Sequence, residues 1–140
     1  MASVAEKVML DSCFLIRCLA TEPPSTEQAL LQRLVRAGSR LCVTKTILKE
    51  VDRWVANHVR DGDMALKWKS LSQQLSVLST KQGDVIWEAG HILTHYPDNL
   101  HIAAAKLENS LLVSYDHAMI RTARDEGVAA YYPMELLTAC

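Results

Sequence analysis

No stretch of this sequence approaches the roughly eighteen consecutive apolar residues of a membrane span. The first apolar run, at 8–10, stops at Asp11, which excludes the hydrophobic core of a signal peptide. Cysteine is scarce and unpatterned. Cys13, Cys18, Cys42 and Cys140 form no Cys-x-x-Cys pair, and no histidine pair completes a zinc pattern. They read as reduced thiols buried as small hydrophobes. A surplus of one charge is missing too: 15 Lys+Arg stand against 16 Asp+Glu, a net −1. That balance argues against coating nucleic acid by bulk positive charge, though not against a local basic groove. Repeats, low-complexity stretches and long linkers are also lacking. These absences describe a protein without membrane association, and the localisation they suggest is cytoplasmic.

What is present is 140 residues, 49% hydrophobic and 22% charged, the composition of one globular domain with a core. A short apolar run at 7–10 ends at Asp11-Ser12, and 13–20 reads as a helix stopped by Pro23-Pro24. Ser25-Thr26-Glu27-Gln28 has the form of a capping box, opening a helix over 29–37 that stops at Gly38. Residues 41–44 read as a strand. A long helix is predicted over 45–60, with Ile47, Leu48, Val51, Trp54, Val55 and Val59 on one face, before the turn signal Asp61-Gly62. A helix over 64–74, a strand over 75–78, and a helix over 85–95 capped by Ser79 or Thr80 lead to Pro97. Asp98 opens an alanine-rich helix that Asn109 ends. Then come a strand over 111–114, a helix over 118–126 ended by Gly127, a strand over 128–131 and a helical turn over 133–137. Strands alternate with helices and are short continuous apolar runs. The predicted fold class is therefore α/β: one three-layer α/β/α domain over 1–140 with a central, mostly parallel sheet of four to five strands.

Asp11 follows the first strand directly, and Asp116 lies just past the strand over 111–114. In open α/β sheets ligands bind beyond the carboxyl ends of the strands, so two acids are delivered to the customary site of chemistry. Asp98 starts a helix after the Pro97 break, and Glu50 lies about a turn into the helix after the second strand. Taken singly, each aspartate also sits where an ordinary helix N-cap would sit, and Glu50 where a solvated helix residue would. Glu50 and Asp52 lie on opposite shoulders of the apolar face, and spacing does not choose between them.

Four segments together resemble the PIN-domain nucleases, including the VapC-like ribonuclease toxins. Val8-Met9-Leu10-Asp11-Ser12-Cys13-Phe14-Leu15-Ile16 is similar to the opening strand-Asp-Thr/Ser segment, with Cys13 where the family often has Asn or Ser. Val43-Thr44-Lys45-Thr46-Ile47-Leu48-Lys49-Glu50-Val51 resembles the second segment, in which the glutamate is the acidic residue. Asp98-Asn99-Leu100-His101-Ile102-Ala103-Ala104-Ala105 and Leu111-Leu112-Val113-Ser114-Tyr115-Asp116 resemble the third and fourth. The order is the family's, over nearly the whole chain.

The resemblance implies a metal-dependent endoribonuclease acting on single-stranded or structured RNA. Asp11, Glu50, Asp98 and Asp116 would be its catalytic and metal-holding residues, with Ser12 and Ser114 hydrogen-bonding a carboxylate or a phosphate. Four converging carboxylates repel one another, and a hard divalent cation, Mg²⁺ or Mn²⁺, relieves that repulsion with oxygen ligands. One metal or two is left open. The partners implied are RNA, a small antitoxin-like inhibitor and a second copy in a homodimer, with no membrane. Lys45, Lys49, Arg53, Arg121 and Arg124 flank the acidic segments as phosphate contacts or as a plain solvated face. Lys67-Trp68-Lys69 is a base-stacking element or, on the preferred reading, a buried anchor. His91 and His95, four apart, lack a third ligand, and His101 is expected to pack beneath the site. A non-catalytic scaffold of the same fold is the alternative. A receiver-like phosphoacceptor is weaker, since Lys106 falls within a helix. Setting the four acids aside leaves twelve against fifteen bases, so the remainder carries a surplus of three positive charges.

Overall fold

Val8, Met9 and Leu10 are fully buried, and the strand they form, β1 (Lys7–Leu10), has a hydrogen-bonded neighbour on each side. The computed structural model describes residues 7–58 and 62–139. Met9 is flanked by Cys42 of β2 (Arg40–Val43) and Leu112 of β4 (Leu111–Val113). β3 (Ser76–Val77) pairs with β2, and β5 (Ala130–Tyr131) with β4, giving a five-stranded sheet in the order β3-β2-β1-β4-β5. Every pairing is parallel. From β1 the chain builds outward through β2 to β3, then returns to the other side of β1 for β4 and β5. The reversal falls between β1 and β4, where a doubly wound sheet opens its crevice.

Eight helices complete the described residues. One group contains α1 (Ser12–Ala20), α2 (Thr26–Arg36), α3 (Lys45–Ala56), α4 (Gly62–Ser72) and α8 (Pro133–Ala139). α1 packs on α2, α3 and α4, and α2 on α8. In the other, α6 (Asp98–Leu107) packs between α5 (Gln82–Ala89) and α7 (His117–Asp125). Ala103, Ala104 and Ala105 are buried in α6, where small side chains let the helix approach its neighbours closely. No helix among the described residues is long and apolar enough to cross a membrane. Cys13, Cys18 and Cys42 are free thiols, as the sequence suggested; Cys140 lies outside the described residues.

Local signals place most boundaries. Ser25 caps α2 by accepting the Gln28 N–H at 3.2 Å, half of the predicted capping box. Gly38 follows α2 with φ +79°, and Ser39 N–H reaches back to the Leu34 carbonyl at 2.9 Å, a closure that requires the left-handed conformation. Asn109, with φ 53°, closes α6 in the same way.

Two helices depart from expectation. α3 ends at Ala56, with Asn57 as its C-cap, and not at 60; Val59, Arg60 and Asp61 lie outside the described residues. α5 covers Gln82–Ala89 and not 85–95, and neither Ser79 nor Thr80 caps it: Lys81 holds the capping position without a side-chain bond, and the Thr80 hydroxyl bonds Glu108. Helices are held chiefly by burying an apolar face. Between 90 and 95 only Ile92 is buried, whereas Leu93 is 94% exposed, so nothing sustains further turns.

Candidate functional site

The acids reach the carboxyl edge of the sheet by different local routes. The Asp11 N–H donates to the Val113 carbonyl at 3.0 Å, prolonging the β1–β4 ladder by one residue. Its side chain then turns to the start of α1, where Oδ1 accepts the Ser12 N–H at 2.9 Å. Asp11 is 5% exposed, and a buried carboxylate must be hydrogen-bonded. Oδ2 accepts from Ser114 Oγ at 2.8 Å and from Cys13 Sγ at 3.3 Å. Ser114 Oγ in turn accepts the Asp116 N–H at 3.0 Å, so one hydroxyl ties the ends of β1 and β4 together. Asp116 caps α7 by accepting the Met119 N–H at 3.1 Å.

Asp98 stands apart. Pro97 takes the capping position of α6, and Asp98 is the first helical residue, with no side-chain cap bond. The capping role allowed to all three aspartates thus holds for Asp11 and Asp116 but not for Asp98. Burial raises the pKa of the Asp98 carboxyl above its ordinary value; the charges of Asp11 and Asp116 raise it further, His101 opposes them and Glu50 adds to the rise. The three other acids all act on Asp98, which is the electrostatic signature of four groups sharing one crevice.

Glu50 lies on α3 with His101 Nε2 at 3.2 Å from Oε1 and the Ser12 hydroxyl at 3.4 Å from Oε2. His101 is 1% exposed, beneath the crevice, with Nδ1 3.3 Å from Thr44 Oγ1. Thr44 also accepts the Ile47 N–H as the N-cap of α3. A carboxylate can only accept, so His101 Nε2 donates to Glu50. Asp52 does something else: it accepts the Trp68 indole N–H at 2.6 Å, pinning α4 to α3. The two shoulders that periodicity left equivalent are separated by these contacts.

Cys13 joins the same network, since Tyr115 N–H donates to its sulfur at 3.3 Å. Burial, reinforced by the Asp11 charge, pushes the thiol up to about 11, so at neutral pH it is a protonated donor and not a nucleophile. On the rim, Tyr115 donates to Glu27 at 2.5 Å, and the Arg17 guanidinium lies 4.4 Å above the tyrosine ring. Glu27 is buried there although nothing in its sequence context distinguished it from a helix-start residue. Thr44 was equally unmarked. Its only signal was a hydroxyl at the junction of a strand and a helix.

Of the basic residues near the acidic segments, Arg124 is committed to the Ala130 carbonyl and Glu135, and Arg121 to His117. Lys45, Lys49 and Arg53 are exposed on α3. Trp68 is 7% exposed, the buried anchor of α4 and not a stacking platform. His91 and His95 lie beyond the end of α5, and His91 Nδ1 donates to the Trp87 carbonyl. Lys106 is paired with Glu88 and Glu126.

Among the described residues no group of three or more histidine, cysteine or carboxylate side chains is placed to hold a metal ion together. A site made of carboxylates, with one protonated thiol and one imidazole already engaged by them, does not suit tetrahedral zinc. It does suit a hard cation such as Mg²⁺, which keeps several waters and takes only one or two carboxylates directly.

The family model described as PIN domain matches residues 8–125. VapBC2 from Rickettsia felis, bound to a DNA fragment from its promoter, shares the fold with a TM-score of 0.74 at 15% identity, over 90% of this chain and 98% of that one. DNA-bound VapBC from Salmonella typhimurium does so with a TM-score of 0.71 at 14% identity, over 91% and 98%. The Pyrobaculum aerophilum protein PAE2754 has a TM-score of 0.70 at 16% identity, over 99% and 97%. At such identities the likeness is one of fold. No curated protein matches the chain.

Proposed function

The chain belongs to the PIN-domain family, and from that premise we propose that it is a metal-dependent endoribonuclease, one PIN domain over 1–140, cutting phosphodiester bonds of single-stranded or structured RNA. The observation that carries this reading is the bonding of the acids at the carboxyl ends of β1 and β4: Ser114 joins Asp11 to Asp116, Ser12 and His101 hold Glu50, and burial with the charges of Asp11, Asp116 and Glu50 raises the Asp98 carboxyl above its ordinary pKa. A crevice that gathers four acids from four elements disfavours their joint ionisation, and a divalent cation reverses that penalty.

Asp11, Glu50, Asp98 and Asp116 are the residues that would hold Mg²⁺ or Mn²⁺. When bound, the ion supplies charge neutralisation at a phosphate and a lowered pKa for water. The chain's own groups prepare the site. Ser114 holds Asp11 Oδ2 and Ser12 approaches Glu50, fixing both carboxylates before substrate arrives. His101, itself set by Thr44, aims Glu50. Asp98, which accepts no hydrogen bond from any described residue, is the acid most free to respond to a cation.

Two of the structural neighbours are VapBC toxin–antitoxin complexes with bound DNA, which supports a small antitoxin-like inhibitor as a partner. A homodimer and a cytoplasmic setting belong to the same reading.

The test is cleavage of labelled single-stranded and hairpin RNA. Mn²⁺ or Mg²⁺ should permit cutting and EDTA abolish it, and Asp98→Asn and Asp116→Asn should each lose at least about a hundredfold in rate. No cleavage by the wild type in Mn²⁺, or Asp11→Asn cutting as fast as wild type, would sink the nuclease reading. RNA binding without cleavage, and without calorimetric Mn²⁺ binding that Asp98→Asn removes, would return the scaffold alternative.

A further inference from the structure

A cavity of about 370 Å³ opens beside the acidic crevice, between the N-terminus of α3, the loop after β3, and α5 and α6. Its floor is apolar, with Leu78, Val85 and Leu100. Its walls carry Lys45, Lys49, Thr46, Ser79 and Gln82. Among the described residues, none of these five side chains makes a hydrogen bond or ion pair. Thr44 and Thr80 also line it, but their hydroxyls are engaged by Ile47 and His101 and by Glu108. Three other cations of the surface are paired with carboxylates, Lys7 with Glu108, Lys106 with Glu88 and Arg124 with Glu135. No carboxylate lines the cavity.

Two uncommitted ammonium groups, two hydroxyls and an amide around an apolar floor match the parts of a nucleotide: an anionic phosphate, polar sugar and base edges, and a flat ring. The volume falls within the range of small-molecule sites, which begins at about 300 Å³. The cavity also borders the acids. His101 lines it on one side and donates to Glu50 Oε1 on the other, so a single buried imidazole separates the two.

We infer that this cavity is a nucleotide subsite, seating one nucleotide of the RNA strand next to the bond that the four acids cut. Lys45 and Lys49 take the phosphate, Thr46, Ser79 and Gln82 the polar edges, and the apolar floor the ring. Phosphate contacts set the register of the strand, and the uncharged contacts favour a seated nucleotide over a merely attracted one. The inference rests on the RNA-cleaving reading above and names where that substrate lies.

Two substitutions test it. Ser79→Phe, on an exposed loop, fills the cavity without changing charge, and the Lys45→Ala/Lys49→Ala pair removes the phosphate contacts; unchanged melting temperatures certify the fold of both. Each should raise KM for a short labelled RNA in Mn²⁺ at least about fivefold while kcat stays within about twofold. Adenosine, guanosine, cytidine and uridine 5′-monophosphates, titrated into the EDTA-treated wild type, should move the backbone amide resonances of 44–49 and 79–82, and Ser79→Phe should abolish those shifts. A wild type that cuts RNA while both variants keep its KM overturns the subsite and leaves the nuclease reading intact. A wild type that cuts no RNA, yet shows monophosphate shifts that Ser79→Phe removes, overturns the nuclease reading and keeps the cavity as a nucleotide site. Shifts confined to residues elsewhere overturn the subsite.

Discussion

At the centre of the sheet, β1 buries Val8, Met9 and Leu10 completely and has a strand on each side. At one edge, β3 is two residues long, and α5 after it leaves Ile86 and Trp87 open to solvent, Trp87 at 73% exposure. The acids hang from the first region: Asp11 extends β1, and Asp116 is tied to β4 through Ser114. Chemistry that needs groups held within fractions of an ångström belongs on the part of a fold that packing over-determines. The edge carries one wall of the cavity, with Ser79 and Gln82, where adjustment to the proposed RNA strand would cost little.

The contrast can be broken at its strong end first. Phe14 is fully buried on α1 and stacked on Tyr115. Phe14→Ala should cost about 3–5 kcal/mol in denaturant unfolding, and a loss near zero would mean that the centre is not the rigid part. Next comes the cation: Mn²⁺ at a hundred times its dissociation constant should stabilise the wild type by about 2.7 kcal/mol, with much less gain for Asp98→Asn. A smaller, pH-dependent effect belongs to Asp98 without metal. Its raised pKa means that protonated Asp98 favours the fold, a contribution complete below the ordinary 3.8 and lost as pH rises through the raised value. In EDTA, Asp98→Asn should therefore melt higher than wild type at pH 7, and the advantage should vanish below about pH 3.8. An advantage that persists unchanged in acid would disprove the charge origin. The smallest effect is at the edge, where Trp87→Ser should change stability by less than about 0.5 kcal/mol. A larger loss by the same measurement would show that α5 packs more tightly than its exposure indicates.

The same division governs what could be read from the residues alone. The helix start at Ser25 and the stops at Gly38, Asn109 and Gly127 agree with the structure, because each depends on a few neighbouring backbone groups. β1 and β4 were legible as buried apolar runs, and with them the places of Asp11 and Asp116. The length of α5 was not, because its extent depends on what is available to pack against it beyond Ala89. Glu50 and Asp52 could not be told apart by helical phase, since the difference lies in partners: His101 is 51 positions from one, and Trp68 is 16 from the other.

Local chemistry was thus enough for turns, caps, strand runs and an inventory of acids, and family resemblance singled out four of them. Only the tertiary structure decided that β1 lies beside β4, that Ser114 joins Asp11 to Asp116, and that Asp98 lacks a capping bond while feeling three other charges. The reason is one of range. A helix cap is settled within one turn of chain, whereas the field at Asp98 is set by groups that come near it only once the sheet has formed.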